Sequence, residues 1–246
     1  MTHRLARIGR NLTCAFSLLL VASFASAQAD DVNPVHTDLS GWNHMELGVL
    51  TQGGFGVTED RGGFKFIMAG IHASKVLTPV LGRGPLRGSF EYGVEIFPFW
   101  QSYTPKFQRP FCTNPPGTPE VCTPLYTVGG TFTGASITPI ILRWNVAGTK
   151  HFAFWGQGAG GLLWTNHKYP AFGGPPYNSQ NDGPNADASV WNFTPQGGVG
   201  VHYFVKPHRS IDFGANAIHI SSASLGDRNP GVNASVQFTL GYSWWK

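Results

Sequence analysis

Residues 231–246 read Gly231-Val232-Asn233-Ala234-Ser235-Val236-Gln237-Phe238-Thr239-Leu240-Gly241-Tyr242-Ser243-Trp244-Trp245-Lys246. From Val232 to Trp244 every second residue is apolar, and the residues between are polar or glycine. Successive side chains of a strand point to opposite faces, so this stretch presents one continuous apolar face and one continuous polar face. The first suits hydrocarbon and the second a polar interior, which is the pattern of a strand in a transmembrane β-barrel. Phe90, Tyr92, Val94 and Ile96 repeat it against Ser89, Glu91, Gly93 and Glu95.

Noisier segments of the same kind fall near 43–51, 63–77, 86–101, 128–146, 151–165, 193–206, 211–221 and 231–245. Eight strands, an even number, permit closure, and closure is required because an open edge in hydrocarbon leaves backbone donors and acceptors unpaired. The expected fold is therefore all-β, a transmembrane antiparallel up-and-down barrel of about eight strands over residues 28–246. No run of around 20 apolar residues follows residue 27, which excludes a helical membrane protein. The connections agree: the long ones, Ser102 to Tyr126 and Asn166 to Ala188, are odd-numbered and would be extracellular. Short ones near Leu81–Pro85, Ala147–Lys150 and Lys206–Arg209 would be periplasmic. With 12% charged residues, 13% aromatics and 32 glycines, the chain is poor in the charges that solvate a globular surface, leaving a soluble β-sandwich as the alternative.

Arg4, Arg7 and Arg10, the apolar run Leu12 to Phe24, and Ala25-Ser26-Ala27 read as a cleavable secretory signal over residues 1–27. It holds three of the 17 Lys+Arg and none of the 13 Asp+Glu, so the remainder carries a net charge of +1. No basic run survives, and nucleic acid is excluded as a partner. Cys112 and Cys122 remain as an even pair in an oxidising compartment, where a disulfide is the expected state.

Along 211–221 the odd positions Ile211, Phe213, Ala215, Ala217, His219 and Ser221 share a face, opposite Asp212, Gly214 and Asn216. An otherwise lipid-compatible stripe thus ends in an imidazole and a hydroxyl. A histidine within reach of a serine can act as general base, drawing off the hydroxyl proton as the oxygen attacks an ester. A hydrogen-bonded His and Ser at headgroup level is the bland alternative. His44, His72, His151, His167, His202 and His208 lack ligand spacing such as H-E-x-x-H, so no metal is expected. Glu91 and Glu95 share a face and read as part of an interior network with Arg or Lys. Trp42, Trp100, Trp155, Trp164, Trp244 and Trp245 read as membrane-interface anchors.

The stretch from His219 through Ser221, Ser222, Ser224, Asp227, Asn229 and Gly231 to Asn233 resembles the carboxy-terminal signature of the PagL-type lipid A 3-O-deacylases. The resemblance implies an eight-stranded outer-membrane barrel with a Ser-His-Glu site, His219 as base and Ser221 as nucleophile. Asn229 and Gly231 match loop residues before the final strand. Asn233 stands where the acidic member is expected, with Asp227 a substitute carboxylate from the loop. Ser222 stands where an Asn near the oxyanion hole is usual, and Ser224 lies in the same loop. The implied activity is hydrolysis of the 3-O-linked acyl ester of lipid A in lipopolysaccharide of the outer leaflet, without a cofactor. The aromatic end of the final strand resembles the signal that barrel-assembly machinery recognises. The rival reading is a non-enzymatic outer-membrane barrel that acts as a structural or surface-binding protein through its long loops. A channel is disfavoured because small barrels fill their interior with side chains.

Overall fold

The computed structural model describes residues 44–58, 61–109, 112–113, 116–119, 121–122, 126–146, 151–169, 189–223 and 234–246. The strands are β1 (Met45–Gly56), β2 (Lys65–Val76), β3 (Gly88–Arg109), β4 (Cys112–Thr113), β5 (Val121–Cys122), β6 (Tyr126–Val146), β7 (Phe152–Tyr169), β8 (Ser189–Phe193), β9 (Gln196–Lys206), β10 (Arg209–His219) and β11 (Ala234–Trp245). Neighbours pair antiparallel in the order β6-β3-β2-β1-β11-β10-β9-β7, and a β6–β7 pairing closes the ring. β8 continues β9: Phe193 pairs with Leu162 and Gln196 with Ala159, an unbroken register across Thr194-Pro195. The structure is therefore a closed barrel of eight strands, as the alternation predicts.

The alternation sorts as expected. Phe90, Tyr92, Ile96, Phe238 and Leu240 point outward, whereas Ser89, Glu91, Glu95, Ser235 and Gln237 are buried inside. With the exterior apolar and every strand paired, the wall satisfies its backbone without water. The interior, however, has two halves. Toward the long loops it is apolar: Phe64, Phe66, Met68, Phe97, Trp100, Phe132, Leu163, Tyr169, Ile218 and Ile220 form one cluster. Tyr169 is its hub, with ring centroids 5.4 Å from Trp100 and 5.1 Å from Phe132, in edge-on contacts that aromatic quadrupoles favour. Toward the short turns the interior is ionic. Arg143 Nη1 donates to Glu46 at 3.2 Å and Glu91 at 3.0 Å, and His72 lies 3.2 Å from Glu95. Glu91 and Glu95 do join an arginine network inside.

The tryptophans need correction. Trp164 and Trp244 face outward, but Trp100, Trp155 and Trp245 are buried in the barrel, and Trp42 lies outside the described residues. Trp245 follows the outward Trp244 by one position and so points in by pleating. Trp100 is turned inward by a register shift between Phe97 and Trp100, which spans Pro98.

The third connection is also shorter than expected. β3 runs on to Arg109 and β6 begins at Tyr126, so a paired hairpin occupies much of 102–126. Beyond the membrane both faces of a strand meet water, and apolar alternation no longer marks it. Pro105 sits in a register shift between Thr104 and Phe107, where a missing N–H is tolerated, opposite the positive-φ residues Gly129 and Gly130. At the tip, β4 and β5 place Cys112 directly across from Cys122 in register.

Candidate active site

β10 starts at the short-turn end, where Lys206 and Arg209 pair around a tight turn, and ends at His219 near the long loops. Its last pairs fix the direction of the two residues of interest. His219 pairs with Ala234 on one side and donates its N–H to the Pro195 carbonyl at 3.0 Å on the other. Pro195 has no N–H to return, so this ladder loses one bond. Two residues on, Ser221 and Phe193 exchange both backbone bonds, at 2.7 and 3.0 Å. Residues paired across antiparallel strands point the same way, and Phe193 faces outward. Ser221 is therefore on the outward face, together with His219.

The two side chains stand roughly 6–7 Å apart at Cα, one pleat repeat, within reach of rotamer choice. His219 is half-buried, and its Nδ1 is buried with no hydrogen-bond partner among the described residues. Ser221 is 8% exposed. Its Oγ accepts the Ala223 N–H at 3.1 Å. Ala223 has φ 46°, a left-handed conformation costing a non-glycine residue about 1–2 kcal/mol. The strand ends in this sharp turn, which aims a backbone N–H at the serine oxygen. Ser222 between them is fully buried. Sequence reasoning missed Ala223, because alanine carries no turn signature. Ser224, Asp227, Asn229, Gly231 and Asn233 lie outside the described residues.

The outward wall below the pair is unusually bare. Register aligns Gly158, Gly197 and Ala217 in one row and Gly156, Val199 and Ala215 in the next. An added Cβ at Gly158 meets nothing within 4 Å, and at Gly197 its nearest neighbour is 3.7 Å away, so internal packing does not explain these glycines. Larger groups frame the rows: Leu162 and Phe193 toward the loops, Phe154 and Phe213 toward the short turns, all exposed on the outside. The result is a shallow apolar basin directly beneath His219.

A family model described as lipid A 3-O-deacylase (PagL) matches residues 90–243. The chain belongs to this family. The match runs from β3 into β11 and takes in His219, Ser221 and Ser222, which gives the PagL signature read from 219 to 233 its setting. The barrel is similar to the crystal structure of the outer membrane enzyme PagL, at 14% identity over 80% of this chain and 98% of that chain, TM-score 0.42. It is also similar to Neisserial surface protein A (11%, 81% and 96%, TM-score 0.43). A third is the outer membrane protein OprG from Pseudomonas aeruginosa (10%, 85% and 99%, TM-score 0.41). No curated protein matches the chain. In this PagL family member His219 and Ser221 lie at the loop end of β10, on the outward wall.

Proposed function

We propose that this chain is an outer-membrane ester hydrolase that removes the 3-O-linked acyl chain of lipid A through Ser221 and His219. The observation that carries this reading is the shared outward direction of the two side chains at the long-loop rim, above the basin of Gly158, Gly197 and Ala217. Lipid A fills the outer leaflet, so a site on the exterior wall meets its ester without extracting it, and the basin gives the acyl chain a flat apolar bed.

His219 takes the Ser221 proton as Oγ attacks the ester carbonyl and the carbon–oxygen π pair moves onto the carbonyl oxygen. Collapse of the tetrahedral species expels the 3-hydroxyl oxygen of the sugar, which receives the proton from His219. Water, deprotonated by the same imidazole, then cleaves the acyl-serine to a free fatty acid and restores Ser221. The charge builds on the carbonyl oxygen beside Oγ; the Ala223 N–H, which donates to Oγ at 3.1 Å before substrate arrives, is one donor that can turn to it, and Ser222 and Ser224 are the other candidates. Nucleophile, base and donors suffice for acyl transfer, so the reading needs no cofactor.

An Asn in the third position, as Asn233 is by the resemblance, can orient an imidazole but does not offset imidazolium charge, a loss that costs about 10⁴ in rate in a serine protease. Asp227 is the alternative carboxylate. The same Asn233 favours the rival reading, an inactive barrel with a binding role.

Mass spectrometry of lipid A from cells producing the protein separates the two. The wild type is expected to yield a species lacking one 3-linked acyl chain, Ser221→Ala none, and Asn233→Glu about tenfold more or better. Identical lipid A from wild type and a folded Ser221→Ala protein removes the hydrolase. The same reading includes export by the signal over residues 1–27, delivery to barrel-assembly machinery by the aromatic β11, and a Cys112–Cys122 disulfide. The last is checked by a mass increase on reduction and alkylation.

A further inference from the structure

Among the described residues every side-chain carboxylate, those of Glu46, Glu91, Glu95 and Asp212, is buried inside the barrel. On the outside, Lys75, Arg83, Arg87, Lys206, Arg209 and Lys246 are all exposed and all belong to the short-turn end. A rim of one sign, with no exposed acidic side chain described beside it, attracts anions.

The connection from β2 to β3 gathers part of that charge into a defined place. Leu81 and Gly88 exchange both backbone bonds, at 2.7 and 3.0 Å, and the Phe90 N–H donates to Thr78 Oγ1 at 2.9 Å, so the connection is a folded unit. Within it Gly84–Leu86 form one 3-10 turn, with Arg83 and Arg87 at its two ends. Leu86 is 73% exposed. Trp144 fixes where this turn lies. Its ring stands on the outward wall, edge-on to its strand partner Phe90 with centroids 4.7 Å apart, and its Nε1 donates to the Leu86 carbonyl at 3.1 Å. The turn is thus folded against the outer wall and not across the mouth of the barrel. Gly88 makes room for that contact, because a Cβ there would stand 2.8 Å from the indole nitrogen. An indole with its ring on the apolar wall and its N–H engaged by a turn marks the level of the membrane interface. Lys75, outward on β2 and paired with Tyr92, lies on the same side and can extend its stem along the wall to that level.

We propose that this turn binds one anionic phospholipid of the inner leaflet, with Arg83 and Arg87 on the headgroup phosphate, Lys75 beside them and Leu86 against the start of the acyl chains. Guanidinium forks match phosphate oxygens two at a time, and an exposed leucine between them gives the apolar part of the lipid a contact at the same depth. A phosphatidylglycerol-type headgroup fits better than phosphatidylethanolamine, whose own ammonium would meet a rim that is already cationic. The site belongs to the end of the barrel opposite His219 and Ser221, so it rests on the outer-membrane setting and not on the ester chemistry. Its effect is to hold the β2–β3 end at headgroup depth. The sequence shows two arginines in a short connection but not the Trp144 contact that lays them on the wall.

The test is native mass spectrometry of the full folded chain in detergent, with dioleoyl phosphatidylglycerol or dioleoyl phosphatidylethanolamine added at equal concentration. One phosphatidylglycerol is expected to stay bound, in preference to phosphatidylethanolamine by about fivefold or more. The preference should vanish in the double variant Arg83→Gln/Arg87→Gln and persist in Lys206→Gln/Arg209→Gln. All four side chains are exposed, and heat-modifiable electrophoretic mobility checks that each protein is folded. Equal retention of the two lipids by the wild type overturns the proposal whatever the variants do. So does a preference unchanged in folded Arg83→Gln/Arg87→Gln, which assigns it to the cationic rim at large. Loss of the bound lipid on adding inorganic phosphate at the same concentration overturns it too, because the turn is then a site for free anions.

Discussion

Between His219 and Ala223 the chain passes from regular strand to a left-handed turn in four residues, and the proposed chemistry depends on that change of course. Alanine pays about 1–2 kcal/mol to sit at φ 46°, while glycine avoids that cost and loses about 0.5–1 kcal/mol of chain entropy instead. Ala223→Gly should therefore unfold within about 1 kcal/mol of wild type and keep its deacylation. Ala223→Val, branched at Cβ, should lose stability by more than that and fall at least tenfold in lipid A turnover, because the turn that aims its N–H at Ser221 opens. Denaturant titration in lipid vesicles and lipid A mass spectra read the two effects. The facing of His219 and Ser221 was legible because the two-residue period decides it. The strain at Ala223 was not, since it arises just past the end of β10, two residues beyond the Ser221–Phe193 bridge.

On the scale of strands, β7 and β9 show what alternation reveals and what it hides. Their glycines blurred the period, yet Gly156, Gly158 and Gly160 all occupy outward positions, set by Phe152 and Phe154 before them. Glycine in a strand interior ordinarily weakens it. Here open space at Gly158 shows that nothing inside the barrel demands it, and Gly158→Leu should fold normally. If the basin seats the acyl chain, that variant should lose deacylation about tenfold or more, with heat-modifiable mobility unchanged. Full activity in Gly158→Leu would place the chain elsewhere. Strand ends near prolines were the least legible part: Pro105 and Pro195 both lie within continuous pairing, one at a register shift and one where a single ladder bond is given up.

For the whole barrel, the interior holds a buried ionic network and an apolar cluster, and only half of it followed from pattern. Inward positions in the ionic half were readable as polar, but which charges meet depends on register around the ring: Arg143 of β6 reaches Glu91 of β3 and Glu46 of β1. Removing one partner of a buried ion pair typically costs about 3–5 kcal/mol, because the other charge is left without compensation. Arg143→Met, similar in length and apolar, should lower the unfolding free energy by about that much in denaturant titrations followed by tryptophan fluorescence. Its lipid A activity should persist under conditions where the barrel is folded. The apolar half, built on Tyr169, was not foreseen as such because inward aromatics on separate strands show no local signature.

The seam of the ring joins β1 to β11, so that Thr51 meets Leu240 across 189 residues of chain. Every earlier hairpin can form from near neighbours, but this last pairing links the extremes of the sequence, and until it forms two strand edges remain open. Folding must therefore wait for a slow, long-range search whose loop-closure entropy local contacts do not offset. An early intermediate with six or seven strands paired would be sticky at both edges, and refolding yield should drop steeply as protein concentration rises.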